Sequence, residues 1–292
     1  MRDVQLTHIG GPSTLIEVHG WRILTDPTFD APGRRYSFGW GTGSRKQTGP
    51  TRTPDQVGPV DVVLLTHDHH ADNLDTLGRR VLERTATVVT TRAGARRLRR
   101  SAGRAAGTPD STPGGGVDGG IGSGVSSGVI GLAPGRSTVL HAPGRTPITV
   151  TATPCRHGPR FSRPLAGAVI GFSLAWESQR RGVLWITGDT VLHPALERTA
   201  RRLHVDTVVL HAGAVRFGLT GPLRYSMDAD EAVQLCELLQ PRSIVPVHYE
   251  GWSHFTQGRD NLRRAFGRTP HLAARVRWLL PAHHGSSAPS QR

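Results

Sequence analysis

The chain has 292 residues, 36 Lys or Arg against 22 Asp or Glu, a formal net charge of +14 and 36% hydrophobic residues. That length and apolar share suit one large domain or two small ones with a real core. A chain with no run near the roughly 18 apolar residues of a membrane span, and with only Cys155 and Cys236 for disulfides, is neither an integral membrane protein, nor a disulfide mini-protein, nor wholly disordered.

In chain order, residues 4–8, 13–18 and 21–26 read as strands, the last two joined at His19-Gly20 by a hairpin turn. Residues 27–58 are rich in Gly, Pro, Arg and Thr and read as a long loop on the substrate side. Residues 60–66 (VDVVLLT) are a nearly unbroken apolar run, as in a strand buried on both faces. A helix over 74–84, a strand over 87–91 and an Arg-rich helix over 93–102 follow. The Gly/Ser-rich stretch at about 103–128 reads as a flexible surface insertion, since regular segments flank it. Strands are expected at 137–141, 148–153, 168–176 and 182–187. The rest alternates: helix 194–203, strand 205–210, helix 228–239 with Ser226 as N-cap, strand 243–247, helix 260–266, strand 275–280, then a loose tail from 281. Two β-rich layers flanked by helices satisfy this order, within one domain spanning 1–292.

Metal-capable side chains sit where these strands end. His67, His69 and His70 lie in THDHHADNLD after the apolar run, and His157 lies in TPCRHGP. Asp189 lies in WITGDT and His248 in IVPVHYEGW. Strand ends on one edge of a sheet can converge, and imidazole with carboxylate suits zinc, manganese or iron.

The ordered set resembles the metallo-β-lactamase superfamily, and more narrowly its branch with the ascorbate-phosphate lactonase and the N-acyl-phosphatidylethanolamine phospholipase D. That branch opens with a hairpin of the form found here as THIGGPSTLIEVHGWRILTDPTF. Over residues 4–254 the resemblance implies an α/β fold, the four-layer αββα sandwich, with one or two divalent ions at one edge. The family's His-x-His-x-Asp-His motif falls on THDHHADN, its lone His on His157, its bridging Asp on Asp189 and its last His on His248. A one-residue insertion between His67 and His70 reconciles the two ends of the motif. Either His69 or His70 is then the second imidazole, Asp72 is the carboxylate, and the final imidazole is replaced by Asp72 or Asn73. One well-formed site and a weaker second one are therefore expected, with Asp68 as an orienter or substitute ligand.

What the resemblance implies chemically is a hydrolase in which metal-bound hydroxide attacks a phosphoester, a lactone or a related ester. Asp72 and Asp189 would act in catalysis, and the leaving-group proton could come from His254, His211 or a metal-bound water. Trp252 and His254 could shape the pocket, while Tyr225 reads as packing at a helix entry. All basic residues except Lys46 are arginines, and we read that excess as base-composition bias that also favours Ala, Gly and Pro. The substrate is expected to be small and anionic. Nucleic acid is a less favoured partner, because 5% aromatics are few for base stacking. A nuclease and a non-catalytic metal- or ligand-binding protein on the same fold are the alternatives. The first residues lack the apolar stretch of a signal peptide, so a cytoplasmic location is expected.

Overall fold

Short runs of β-branched and aliphatic residues, cut by Gly and Pro, build two six-stranded sheets. They are seen in a computed structural model that describes residues 4–105, 128–162 and 166–279. Strands β1 (Gln5–Gly10), β2 (Ser13–Val18) and β3 (Trp21–Thr25) form an antiparallel meander. Its second turn puts His19 at φ 47° and Gly20 at φ 80°, the left-handed pair that a two-residue hairpin needs. Within the expected long loop lie a separate hairpin, β4 (Arg35–Gly39) and β5 (Thr42–Arg45), and a one-turn helix α1 (Pro54–Val57) with a Thr53 capping box. The signal for that hairpin was the period-two spacing of Tyr36, Phe38 and Trp40.

The first sheet continues in parallel through β6 (Val62–Leu64), β7 (Thr87–Thr91) and β8 (Gly128–Leu132), with helices α2 (Thr76–Glu83) and α3 (Arg92–Ala105) as crossovers. Strand β8 was not expected, because its GVIGL sequence emerges from the glycine-rich stretch. A Cβ at Gly131 would lie 2.9 Å from Cβ of Ala95, so the strand gives up a side chain where α3 crosses it. Of the expected insertion, residues 106–127 lie outside the described residues, as does the tail from 281; residues 103–105 end α3.

The second sheet repeats the plan. Strands β9 (Ser137–Leu140), β10 (Ile148–Pro154), β11 (Ile170–Ala175) and β12 (Val183–Ile186) are antiparallel, and β13 (Val205–His211) and β14 (Ser243–Val247) then run parallel to β12. Helices α4 (Pro194–Arg202), α5 (Ala229–Leu239), α6 (Arg259–Gly267) and α7 (Pro270–Ala273) cover its outer face. Asp228, not Ser226, caps α5, its side chain accepting from the Glu231 N–H; the Ser226 hydroxyl instead ties Val215 to Ala212. Among the described residues of the expected last strand, 275–279, a single bridge forms, Val276 to Ile244, shortly after α7.

Three apolar clusters fix the layering. Ile16, Ile23 and Leu64 meet Phe172, Leu174 and Val245 between the sheets. Leu15, Leu24 and Val63 pack under α2 and α3, and Trp185, Val208 and Leu210 pack under α4 to α6. The order is helix, sheet, sheet, helix, as the resemblance implied. No helix among the described residues is long and apolar enough to cross a membrane.

A buried polar knot hangs the 27–46 segment on the first turn of α2. Asp75 caps that helix, accepts from the Asp30 N–H at 2.6 Å and pairs with Lys46 Nζ at 2.8 Å, both side chains being buried. Asp30 in turn accepts from the Tyr36 hydroxyl at 2.6 Å and from the N–H groups of Thr76 and Leu77. Burial opposes its charge, but these bonds outweigh it and hold the Asp30 carboxyl below its ordinary 3.8.

Two outcomes follow for stability. Asp75→Ala leaves Lys46 as an unpaired buried charge and removes a cap, so it lowers unfolding free energy by about 3–5 kcal/mol, measured in urea. The depressed Asp30 pKa means its contribution is full above the unfolded value and is lost as pH falls through the folded one. Asp30→Asn therefore lowers Tm near neutrality, and its deficit against wild type shrinks below about pH 4. A deficit that is constant with pH would show that Asp30 acts by shape alone.

Candidate metal centre

The strand ends deliver the site. After β6 the chain passes through Thr66 to His67. Asp26, just past β3, accepts from the Thr66 N–H at 2.7 Å and its hydroxyl at 3.0 Å, and that hydroxyl bonds His67 Nδ1 at 3.0 Å. The next turn closes on the His70 carbonyl, which accepts from Asn73 and Leu74. β10 and β12 both run antiparallel to β11, so His157 and Asp189 emerge at one edge. His248 follows β14 at φ 58°, its N–H on the Gly11 carbonyl and its Nδ1–H on the Ala212 carbonyl, which turns Nε2 inward.

Two groups of potential ligands result, all buried: His67, His70 and His157 in one, Asp72, Asp189 and His248 in the other. Within each group the ligand atoms lie within 4.8 Å of one another. His67 Nε2 and His70 Nδ1 are 3.2 Å apart. Asp189 Oδ2 lies 3.3 Å from His157 Nδ1 and 3.7 Å from His248 Nε2, so one oxygen faces both groups.

Both Asp189 oxygens, Asp72 Oδ1, His157 Nδ1 and His248 Nε2 are buried without a hydrogen-bond partner. Such atoms are costly unless something satisfies them. Divalent cations held by the two groups would satisfy them, and this donor set fits such ions.

Protonation follows the same geometry. Burial and the neighbouring imidazoles hold His67 and His70 well below the ordinary 6.5, and burial lowers His157 against the pull of Asp189. These rings are neutral, the form that binds metal. Burial opposes charge on Asp72, but the imidazole of His248 at 3.5 Å and the His254 hydrogen bond outweigh it and lower its pKa. Burial raises that of Asp189. His248 would be lowered by burial, yet Asp189 and Asp72 push it up to about 9.

Of the two alternatives for the second imidazole, His70 joins the first group, whereas His69 turns its Nε2 to the Ala166 carbonyl at 2.7 Å. The expected weaker second site has three potential ligands in place, Asp72, Asp189 and His248. Asp68 points away, bound by Arg97 through Nε at 2.7 Å. His211 is wholly buried behind His248, 3.5 Å from Asp26 Oδ2. His254 stands at the second group, its Nε2 2.9 Å from Asp72 Oδ2.

Two cavities flank the groups. One, of about 90 Å³, is walled by Phe38, Trp40, Phe217 and Tyr225 with His70 and His157 at its base. Tyr225 thus lines the mouth rather than merely packing at a helix entry. The other, of about 370 Å³, carries Arg92, Arg96 and Arg156 beside His157. Phe38, Trp40 and Ser44 escaped the sequence reading, because their hairpin was taken for a loop.

Comparison with known proteins agrees with this geometry. The family model described as the beta-lactamase superfamily domain matches residues 21–249. A protein of Caldivirga maquilingensis described as a UPF0173 metal-dependent hydrolase is 25% identical over 272 residues, 93% of this chain and 92% of that one. Among solved structures, an isothiocyanate hydrolase from Delia radicum gut bacteria superposes with a TM-score of 0.70 at 18% identity, covering 94% of this chain and 95% of the other. A possible metal-dependent hydrolase from Veillonella parvula gives 0.72 at 16% identity, covering 96% and 97%. With four layers, ligand-bearing strand ends at one edge and a family match over most of its length, the chain belongs to the metallo-β-lactamase superfamily.

Proposed function

We propose that this chain is a metal-dependent hydrolase that cleaves an ester bond where the two sheets meet. The observation that carries this reading is the pair of buried ligand groups joined across Asp189, with carboxylate oxygens that nothing else satisfies. His67, His70 and His157 would hold one divalent ion, and Asp72, Asp189 and His248 the other. Ligand type favours zinc, with manganese or iron as alternatives. A bound divalent metal supplies Lewis acidity and lowers the pKa of water to about 7.

The chain's own residues supply the rest. Asp26 and Thr66 fix the His67 ring, so its nitrogen does not reorganise during the reaction. Asp189 presents one oxygen to both groups and keeps them in register. Phe38, Phe217 and Tyr225 offer an apolar wall, with Trp40 exposed at its rim, free to cover a bound substrate. Arg92, Arg96 and Arg156, with which no described carboxylate pairs, offer positive charge on the other side of His157. The geometry therefore favours an ester with an aryl or alkyl group on one flank and negative charge on the other. The phosphoester and lactone classes come from the branch that the motifs resemble.

Two measurements test this. Metal content of purified protein, by plasma mass spectrometry, falls in both His67→Ala and Asp189→Ala; unchanged content in both variants sinks the ligand assignment. On a panel of phosphodiesters and lactones, Trp40→Ala and Phe217→Ala each lower kcat/KM for aryl substrates by about 10–100-fold, the worth of burying one aromatic side chain against the substrate. Small methyl analogues change little. Equal losses on both kinds of substrate would show that the aromatic wall does not select.

A further inference from the structure

The two ligand groups are unequal in nitrogen. The first has three imidazoles, and the second has one, His248, beside two carboxylates. Asn73 sits next to Asp72; its amide nitrogen donates to the Thr66 hydroxyl at 3.3 Å and its amide oxygen is buried without a partner, but a neutral amide oxygen is a weak ligand and does not supply the missing nitrogen.

His254 reaches the same place from the opposite side of the fold. Its Nε2 is 2.9 Å from Asp72 Oδ2, and that oxygen is 3.5 Å from His248 Nε2. Ligand atoms on one tetrahedral ion, at bonds of 2.0–2.1 Å, stand about 3.4 Å apart, so both imidazoles stand at about ligand spacing from Asp72 Oδ2; His254 lies outside the set whose atoms are all within 4.8 Å of one another, and joining it requires the ring to close on His248 and Asp189. The other ring nitrogen, Nδ1, is engaged by Ser44 Oγ at 2.5 Å. A ligating histidine is ordinarily held in this way, one nitrogen for the metal and the other on an orienting partner.

The ring is also fixed in space. Phe217 stacks on it at 5.2 Å and 13° between planes, and it is 4% exposed. Its loop is strapped to β5: the Ser253 N–H donates to the Arg45 carbonyl at 3.0 Å, and Ser253 Oγ accepts from the Arg45 N–H at 2.9 Å. A side chain so confined loses little entropy on binding an ion.

We propose that His254 replaces the imidazole absent at position 73, as the second nitrogen ligand of the ion held by Asp72, Asp189 and His248. This rests on the two-ion reading above. As a ligand, His254 keeps no proton on Nε2, so the leaving group takes its proton from water.

Cobalt titration of the full chain tests it, with visible absorption reporting the ligand field and elemental analysis counting bound ions. Wild type binds two equivalents, whereas His254→Ala and the size-matched His254→Gln keep one and bind the second about 100-fold more weakly. Asn73→Ala keeps both. The glutamine amide can still donate to Asp72, so a His254→Gln variant that retains two tight equivalents reduces His254 to an orienting role and overturns the proposal. Loss of the second equivalent in Asn73→Ala but not in His254→Gln overturns it in favour of the amide. A single equivalent in wild type refutes the two-ion reading and the His254 assignment with it; no bound cobalt at all refutes the metal-centre reading as a whole.

Discussion

Charge buried without a partner is the constraint around which this fold is arranged. Asp72 and Asp189 are carried into a buried edge between two sheets, where Asp72 Oδ1 and both Asp189 oxygens are reached by no hydrogen bond. Ionised carboxylates in such a place are tolerated only against compensating charge or metal. The surroundings answer to that need. Four strands end there, Asp26 and Thr66 hold His67 from behind, and the Gly11 and Ala212 carbonyls set His248. The same burial is useful chemically, because electrostatic interactions strengthen as water is excluded.

Much of this was legible in the sequence where local pattern and tertiary role agree. VDVVLLT reads as a doubly buried strand, and its Val62–Leu64 form one, with His67 three residues beyond. β2, β7 and β14 fall on the expected residues, because β-branched runs bounded by glycine, proline or polar turns leave little choice. Illegible parts were those in which long-range packing overrides composition. GVIGL holds two glycines in five residues, yet it forms β8 because α3 presses against it. RYSFGWGTGSR looked like loop because glycine dominates, although its aromatics alternate.

The site shows the same division. Which residue types would meet at the edge could be read from motif order. Which of two adjacent histidines turns inward could not, since that is decided by the backbone of one turn. The extra residue between His67 and His70 is absorbed by rotating His69 onto the Ala166 carbonyl, while the His70 carbonyl closes the turn at Asn73 and Leu74. His254 was visible as a residue near His248, but its contact with Asp72 spans 182 positions and depends on a hairpin that composition concealed.

Lys46 carries a last consequence. It is the chain's one lysine, and its ammonium lies under the Trp252 ring against Asp75, 3% exposed. A folded molecule therefore offers acylating reagents, and enzymes that conjugate to lysine, no side-chain amine. Only when the 27–46 segment detaches from α2 does that amine meet solvent. Labelling at a single position thus becomes a clock for the opening of the wall beside the metal centre, silent in the closed protein and counted one event per molecule.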